Sequence, residues 1–206
     1  MSKKVFQIKL QTIDYLAVRG RSLPQWAATI LMLFVSVLFS GCQDKKVEKL
    51  QAAEPEISTL SELGGVYYLI RHAEKDRANP QNQDPELTQA GLERAKLWQS
   101  YFDSIPLTGI YSTAYKRTLQ TVIPSAEAKS LTPMIYEPLE LLDDNFFKKS
   151  SSGHWLIVGH SNTVPQLTNA LMAIDTLHDI PDTVNSRLYR ADFSVKPAKL
   201  SVTEVN

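Results

Sequence analysis

Cysteine is almost absent from this chain of 206 residues, and Cys42 is the only one. A lone cysteine excludes an internal disulfide, so the fold must depend on its apolar core. An excess of charge is absent too, because 22 basic side chains balance 22 acidic ones. Nucleic-acid-binding domains usually carry a basic excess or a basic stripe, and we find neither beyond the extreme N-terminus. We therefore expect no nucleic-acid partner.

Long apolar runs are also scarce, and the most apolar one, Trp26 to Phe39, has fourteen residues without a charge. A helix needs roughly 20 apolar residues to cross a bilayer. Basic residues before a short apolar run, with small residues after it, are typical of a secretory signal. We therefore assign residues 1–41 to a signal peptide. An uncleaved anchor that spans the membrane once is the alternative.

The end of this segment reads LFSGC and resembles the lipobox of bacterial lipoproteins. The resemblance implies cleavage before Cys42 and attachment of lipid to its thiol, although Phe39 is larger than the aliphatic residue usual at that place. The protein would then be a membrane-anchored lipoprotein outside the cytoplasm, on the periplasmic side in a Gram-negative cell. The polar, mixed-charge residues 42–64 are predicted to be a tether, and residues 65–206 the folded domain.

Short apolar runs alternate with helical patterns from residue 65 onward. Strands are expected at 66–70, 109–112, 134–136 and 155–159, and helices at 87–102, 114–123 and 162–174. Thr88 is the expected N-cap of the first helix, and Pro124 is expected to end or kink the second. From Ser186 the tail alternates apolar and polar residues, which predicts two antiparallel edge strands. Together these patterns predict a three-layer α/β/α domain with a mostly parallel sheet and an antiparallel edge.

Charged side chains stand where the predicted strands end. The first strand is followed by Arg71 and His72, the third by Glu137 and the fourth by His160, while Arg117 opens the helix after the second. Open α/β sheets bind ligands at the carboxyl ends of their strands. Arginines and a helix N-terminus suit a phosphate, and a histidine among positive charges stays neutral and nucleophilic. The pattern predicts a phosphate site in which a histidine attacks phosphorus and a carboxylic acid supplies a proton.

At these residues the chain resembles the histidine phosphatase superfamily, the phosphoglycerate mutase-like proteins. The resemblance rests on RHAEK, LTQAG, YSTAYKRTLQT and VGHSNTV, which occur in this order within residues 65–194. It implies a phosphoglycerate mutase-like fold and a phosphohistidine mechanism without a metal or an organic cofactor. It also implies that His72 is the nucleophile, that Arg71 and Arg117 bind phosphate, and that His160 binds the transferring phosphoryl group.

The chain departs from this family at several places. Ala73 replaces the glycine that many members have after the Arg-His pair, and no long insertion follows the helix of Arg117, so mutase activity is not expected. The residue after His160 is not aspartate, which argues against the acid-phosphatase branch.

The proton donor is the least defined part of the predicted site. Glu137 is our candidate because it directly follows the third strand, and Glu74 and Glu140 are the alternatives. Glu74 and Asn162 are further expected to contact the substrate, and Asn162 also to cap its helix.

The expected function is hydrolysis of a phosphate monoester or a phosphoramidate through phospho-His72. The expected substrate is a small molecule or an envelope-associated phosphoester, and the expected membrane contact is the lipid anchor. A lipoprotein that binds phosphate in the same pocket without turnover is the alternative. A structural lipoprotein, which would bind no anion, is a third hypothesis.

Overall fold

A computed structural model describes residues 60–138 and 140–206, so the predicted signal peptide, Cys42 and most of the predicted tether lie outside the described residues. Strands and helices follow in the order β1 (Val66–Arg71), α1 (Gln89–Phe102), β2 (Leu107–Ser112), α2 (Lys116–Lys129), β3 (Met134–Ile135), α3 (Asp144–Lys149), β4 (His154–Gly159), α4 (Thr163–Met172), β5 (Arg187–Asp192) and β6 (Lys199–Glu204). Within the described ranges, no helix is both long and apolar enough to cross a membrane.

All six strands form one sheet in the order β3-β2-β4-β1-β5-β6. The first four strands are parallel, and β5 and β6 add an antiparallel edge, as predicted. β1 and β4 are direct neighbours, and their register pairs Arg71 with Gly159. The residues that follow this pair are His72 and His160, so the register brings the two predicted histidines to the same edge of the sheet.

Both faces of the sheet are covered, because alternate residues of a strand point to opposite faces. Tyr67 and Leu69 of β1 pack on one face in a cluster that includes Phe146 of α3 and Leu167 of α4. On the other face, β1 contributes Val66, Tyr68 and Ile70 to a cluster with Trp98 and Phe102 of α1 and with Val122 and Ala126 of α2. The domain is therefore a three-layer α/β/α sandwich, and the predicted fold class is confirmed.

The packed part of the chain includes the last residues of the predicted tether. Leu60 and Leu63 are 8% and 2% exposed and belong to the same cluster as Tyr67. Next to them, the Gly64 backbone N–H donates to the carbonyl of Ser151 at 2.7 Å. These residues belong structurally to the domain.

Helix α2 continues through Pro124 and ends at Lys129, so the prediction that it stops or breaks near residue 123 was wrong. Proline removes one backbone hydrogen bond from a helix. On either side of it, however, Val122 and Ala126 are buried in the cluster shared with α1. Packing against α1 outweighs the local preference of a single residue.

Helix α1 begins as the sequence predicts, with the Thr88 hydroxyl accepting from the Gly91 N–H at 3.1 Å. Its first turn also lies directly on the loop after β1, where the Thr88 N–H donates to the Glu74 carbonyl at 2.8 Å. A Cβ atom on Gly91 would collide with that same carbonyl. Glycine at this position allows the backbone of α1 to touch the segment that carries His72.

Candidate active site

His72 is the first residue after β1, and its side chain has a defined tautomer. The residue is 3% exposed, and its Nδ1 lies 2.8 Å from the backbone oxygen of Ala73. A carbonyl oxygen can only accept, so Nδ1 carries the proton and Nε2 keeps a lone pair. The His72 backbone N–H extends the β1–β4 pairing by donating to Gly159 at 3.0 Å. The geometry therefore presents Nε2 as the free nitrogen.

The His72 imidazole is held in its neutral form. Burial is the main cause that lowers its pKa to about 3; the charges of Arg71 and Arg117, and that of His160 when it is protonated, act in the same direction, and the bond to Ala73 opposes them. A neutral imidazole at neutral pH is a nucleophile, whereas its protonated form is not.

His160 follows β4, and its ring centroid lies 5.6 Å from that of His72. Its Nδ1 lies 3.4 Å from Nη2 of Arg117, which can only donate, and its Nε2 lies 3.1 Å from the Thr113 hydroxyl. The neutral ring therefore donates from Nε2 to Thr113. Burial, together with the positive charges of Arg117, Lys75 and Arg71, lowers the pKa of His160 to about 4.

Arg117 lies in the first turn of α2, on the same edge of the sheet. The residue is 9% exposed, and its guanidinium carbon sits 4.2 Å from the ring centre of Tyr115. Its Nη1 is 3.7 Å from Oδ1 of Asp84, which is too long for a hydrogen bond. Within the described residues, Nε and Nη1 are buried and have no hydrogen-bond partner.

Arg71 is almost completely buried, at 2% exposure, and a loop near the C-terminus uses most of its donors. Nη1 donates to the carbonyls of Pro181 at 2.8 Å and Val184 at 3.2 Å, and Nη2 donates to Asp182 at 2.7 Å. Its Nε is buried without a partner among the described residues. Buried donors are rarely left unpaired, so the free N–H groups of Arg71 and Arg117 indicate an anion site.

The prediction that Asn162 caps its helix was wrong, whereas substrate contact by Glu74 and Asn162 stays a prediction. Oε1 of Glu74 accepts from Nε of Arg94 at 2.7 Å, so this carboxylate is directed to α1. Asn162 is exposed and makes no side-chain cap bond at the start of α4. The Thr163 hydroxyl instead accepts from the His160 N–H at 3.0 Å.

Glu137 is exposed and lines a cavity of about 330 Å³ with Glu140 and Asp143, and neither histidine lines this cavity. Glu137 is not among the groups that shift the pKa of His72 or His160, and its role as proton donor stays a prediction. All the charged groups that shift the pKa of His72 and His160 are cationic. Among the described residues, no three His, Cys, Asp or Glu side chains lie together so that they could hold a metal ion.

Several groups around the histidines were not identified from the sequence. Thr113 directly follows β2, so the same strand-end rule could have identified it. Lys75 is part of the RHAEK motif, and its pKa is lowered by burial and by the neighbouring charges of Arg117 and Arg77. Asn185 donates to the backbone oxygen of His72 at 2.8 Å from a loop that carries no recognisable motif.

Comparison with known proteins agrees with this geometry. Residues 67–146 match the model of the histidine phosphatase superfamily (branch 1). The candidate phosphohistidine phosphatase SixA from Agrobacterium tumefaciens is 21% identical and superposes with a TM-score of 0.51 over 68% of this chain and 99% of its own. A mycobacterial glucosyl-3-phosphoglycerate phosphatase is 13% identical, with a TM-score of 0.50 over 69% of this chain and 99% of its own. No curated protein matches the sequence. At these identities the structural likeness establishes the fold.

Proposed function

Because the chain belongs to the histidine phosphatase superfamily, we propose that it hydrolyses a phosphate monoester or a phosphoramidate through a phosphohistidine on His72. One observation carries this function: unpaired N–H groups of Arg71 and Arg117 accompany two histidines that are held neutral. A dianionic phosphoryl group would satisfy those donors with charge-assisted hydrogen bonds. Its phosphorus would then face the free Nε2 of His72.

The proposed reaction has two displacements. The Nε2 lone pair of His72 attacks phosphorus, and the P–O or P–N bond to the leaving group breaks, with the electron pair leaving on that group. Water then attacks phosphorus, the P–N bond to His72 breaks, and orthophosphate and neutral imidazole are released. Fixed positive charge stabilises the charge that builds on the phosphoryl oxygens in both steps.

The leaving group also needs a proton, and this requirement limits the substrate class. The charged groups that shift the pKa of both histidines are cationic, and Glu137 is not among them. An aryl oxide departs without an acid, and a phosphoramidate nitrogen can take its proton from solvent before the P–N bond breaks, whereas an alkoxide needs a proton donor in the site. We therefore favour the first two leaving groups, and Glu137 remains our proposed donor for an alkyl ester.

The location of the enzyme follows from the N-terminal sequence. With Cys42 lipidated and residues 43–59 as a tether, the domain would face the extracytoplasmic side of a membrane. A small or envelope-associated phosphoester is then a more accessible substrate than a cytoplasmic phosphoprotein. The similar structures are named for a phosphoramidate and for a sugar phosphoester, and these are the two chemical classes to test first.

A phosphate-binding lipoprotein without turnover is the second candidate. The cationic surroundings of the histidines favour it, because an anion can bind there while a poor leaving group stays attached. Both hypotheses use the same pocket, and they differ only in whether a bond to phosphorus is broken there.

Trapping of the intermediate separates the two candidates. The full chain in detergent is mixed with a radiolabelled aryl phosphate or phosphoramidate and quenched without acid, since phosphohistidine is acid-labile. A phosphatase leaves label on the wild type and none on His72→Ala. Orthophosphate binding with neither label nor product favours the binding protein, and failure to bind any anion favours a structural lipoprotein.

A further inference from the structure

The loop of residues 180–185, called here the site loop, is attached to the residues next to both histidines. At its start, the Ile180 N–H donates to the carbonyl of Ser161, the neighbour of His160, at 2.8 Å. At its end, the buried Asn185 side chain donates to the carbonyl of His72 at 2.8 Å. Both ends of the loop are therefore tied to the carboxyl ends of β1 and β4.

Between these two attachments the site loop holds the guanidinium of Arg71. Pro181 and Val184 accept from Nη1 through their carbonyls, and Asp182 accepts from Nη2 through Oδ1 at 2.7 Å. The other oxygen of Asp182 lies 3.3 Å from Nη1 of Arg77. These bonds leave the Nε–H of Arg71 buried and without a partner in the described residues.

Asp182 is an unusual partner for a buried arginine, because 68% of its side chain is exposed. An ion pair with an exposed carboxylate contributes little to stability. It does fix geometry, because a guanidinium is a rigid planar fork whose donors point in set directions. With Nη1 and Nη2 held by the loop, the direction of the Nε–H is determined.

We propose that Asp182 is a positioning residue, which holds Nη2 of Arg71 so that the Nε–H is directed at the transferring phosphoryl group. Asp182 does not touch the substrate and acts only through Arg71. The effect of Asp182 on the rate of hydrolysis rests on the proposed phosphatase function. Its effect on the affinity for orthophosphate does not depend on that function. Arg77 holds the second oxygen and supports the carboxylate from the solvent side.

The first test compares Asp182→Asn with Asp179→Asn in the full chain. Asp179 is exposed three residues earlier, and it is not among the described partners of Arg71, so its variant removes the same charge without releasing the guanidinium. We expect kcat/KM for an aryl phosphate to fall about tenfold or more in Asp182→Asn. Asp179→Asn should stay within about twofold of the wild type, because surface charges are screened. Equal values for the two variants would overturn the proposal.

The second test asks whether Asp182 acts through Arg71. If it does, Asp182→Asn should cause little further loss in an Arg71→Gln background, because residues that act as a unit are not additive. If the two substitutions lower kcat/KM by independent factors that multiply in the double variant, the positioning role is contradicted. Arg71 is buried, so Arg71→Lys serves as the background if Arg71→Gln does not fold.

Orthophosphate binding, measured by titration calorimetry, keeps this inference separate from the proposed function. If the wild type binds orthophosphate without turnover, the phosphatase function fails but the role of Asp182 is still measurable. We then expect Asp182→Asn to bind orthophosphate about fivefold more weakly than Asp179→Asn, in line with one misplaced charge-assisted bond. Equal or tighter binding, or no binding by the wild type, would overturn the positioning role.

Discussion

The two strand ends that carry the histidines are built differently. His72 is buried, and a backbone carbonyl next to it in sequence fixes its tautomer. His160 is partly exposed, and two side chains from other elements, Thr113 and Arg117, hold its ring. A backbone partner moves only with the chain, whereas side-chain partners can rotate. The fixed position thus belongs to the histidine proposed to attack phosphorus, and the adjustable one to the histidine proposed to accommodate the phosphoryl group.

The largest effect is expected for His72→Ala. This variant removes the attacking nitrogen, so we expect kcat for an aryl phosphate to fall by at least about 10³-fold. Steady-state hydrolysis is the measurement, with orthophosphate binding as the control that the pocket is intact. Activity close to that of the wild type would mean that His72 is not the nucleophile.

His160→Ala should have the second largest effect and a different signature. Loss of one group that stabilises the phosphoryl charge typically costs about 10²-fold in kcat. The variant should nevertheless accumulate a radiolabelled phosphoenzyme, slowly, because Nε2 of His72 remains. Complete loss of label at long reaction times would show that the two histidines do not divide the roles in this way.

Acidification should affect both histidines, in a defined order. The neutral forms are the active ones, so kcat/KM should be lost as the pH falls through about 4 for His160 and then about 3 for His72. Simple titration predicts a fall of about tenfold per pH unit between the two values and about a hundredfold per pH unit below the lower one. A pH–rate profile with a substrate whose own ionisation is known measures this.

The folded state should also become less stable as the pH falls. Both groups have folded-state pKa values below their ordinary value of 6.5, so the unfolded chain binds these protons first. Their contribution is fully present above about pH 6.5 and is lost as the pH falls toward 3. The unfolding temperature of His72→Ala should therefore depend less on pH in this window.

Thr113→Val tests how strongly the side-chain partners of His160 hold its ring. The hydroxyl of Thr113 is the partner of the Nε2 of His160, and valine has nearly the same shape, so the core should stay packed. We expect kcat/KM to fall several-fold, at most about tenfold, because the bond that orients His160 is lost, together with the bond between the Thr113 and Thr118 hydroxyls at 3.0 Å. The same kinetic constants for variant and wild type would mean that Arg117 alone is enough to orient the ring.

The smallest effect is expected for Glu74→Gln, although Glu74 is only two residues from His72. Its carboxylate pairs with Arg94, so kcat and KM should change by no more than about twofold. A loss of about 10²-fold would instead indicate proton transfer by Glu74.

The sequence allowed much of the fold to be predicted, because apolar runs and helical periodicity are local signals. It also located His72, Arg117 and His160, because each follows a strand of the central parallel sheet and parallel strands end at one edge. Glu137 obeys the same rule, yet β3 is a two-residue strand at the edge of the sheet, separated from β1 by β2 and β4. Strand order is a property of the whole chain, and no local pattern contains it.

The surroundings of Arg71 could not be predicted for a related reason. Its partners lie more than a hundred residues further along the chain, in a loop without periodicity or motif. Likewise, the end of α2 depends on contacts with α1 and not on Pro124 alone. The sequence identified which side chains carry charge at the site, whereas only the structure shows which of their hydrogen atoms remain free.

The contact between Gly91 and the Glu74 carbonyl bears on how mutational tolerance should be interpreted in this protein. Any side chain at position 91 would push α1 away from the segment that leads to His72. A library of random variants would therefore rank Gly91 among the least replaceable positions, next to the residues proposed to bind phosphate. At Gly91, intolerance to substitution would reflect the close contact between the backbones of α1 and of the loop after β1. It would not indicate a role in catalysis.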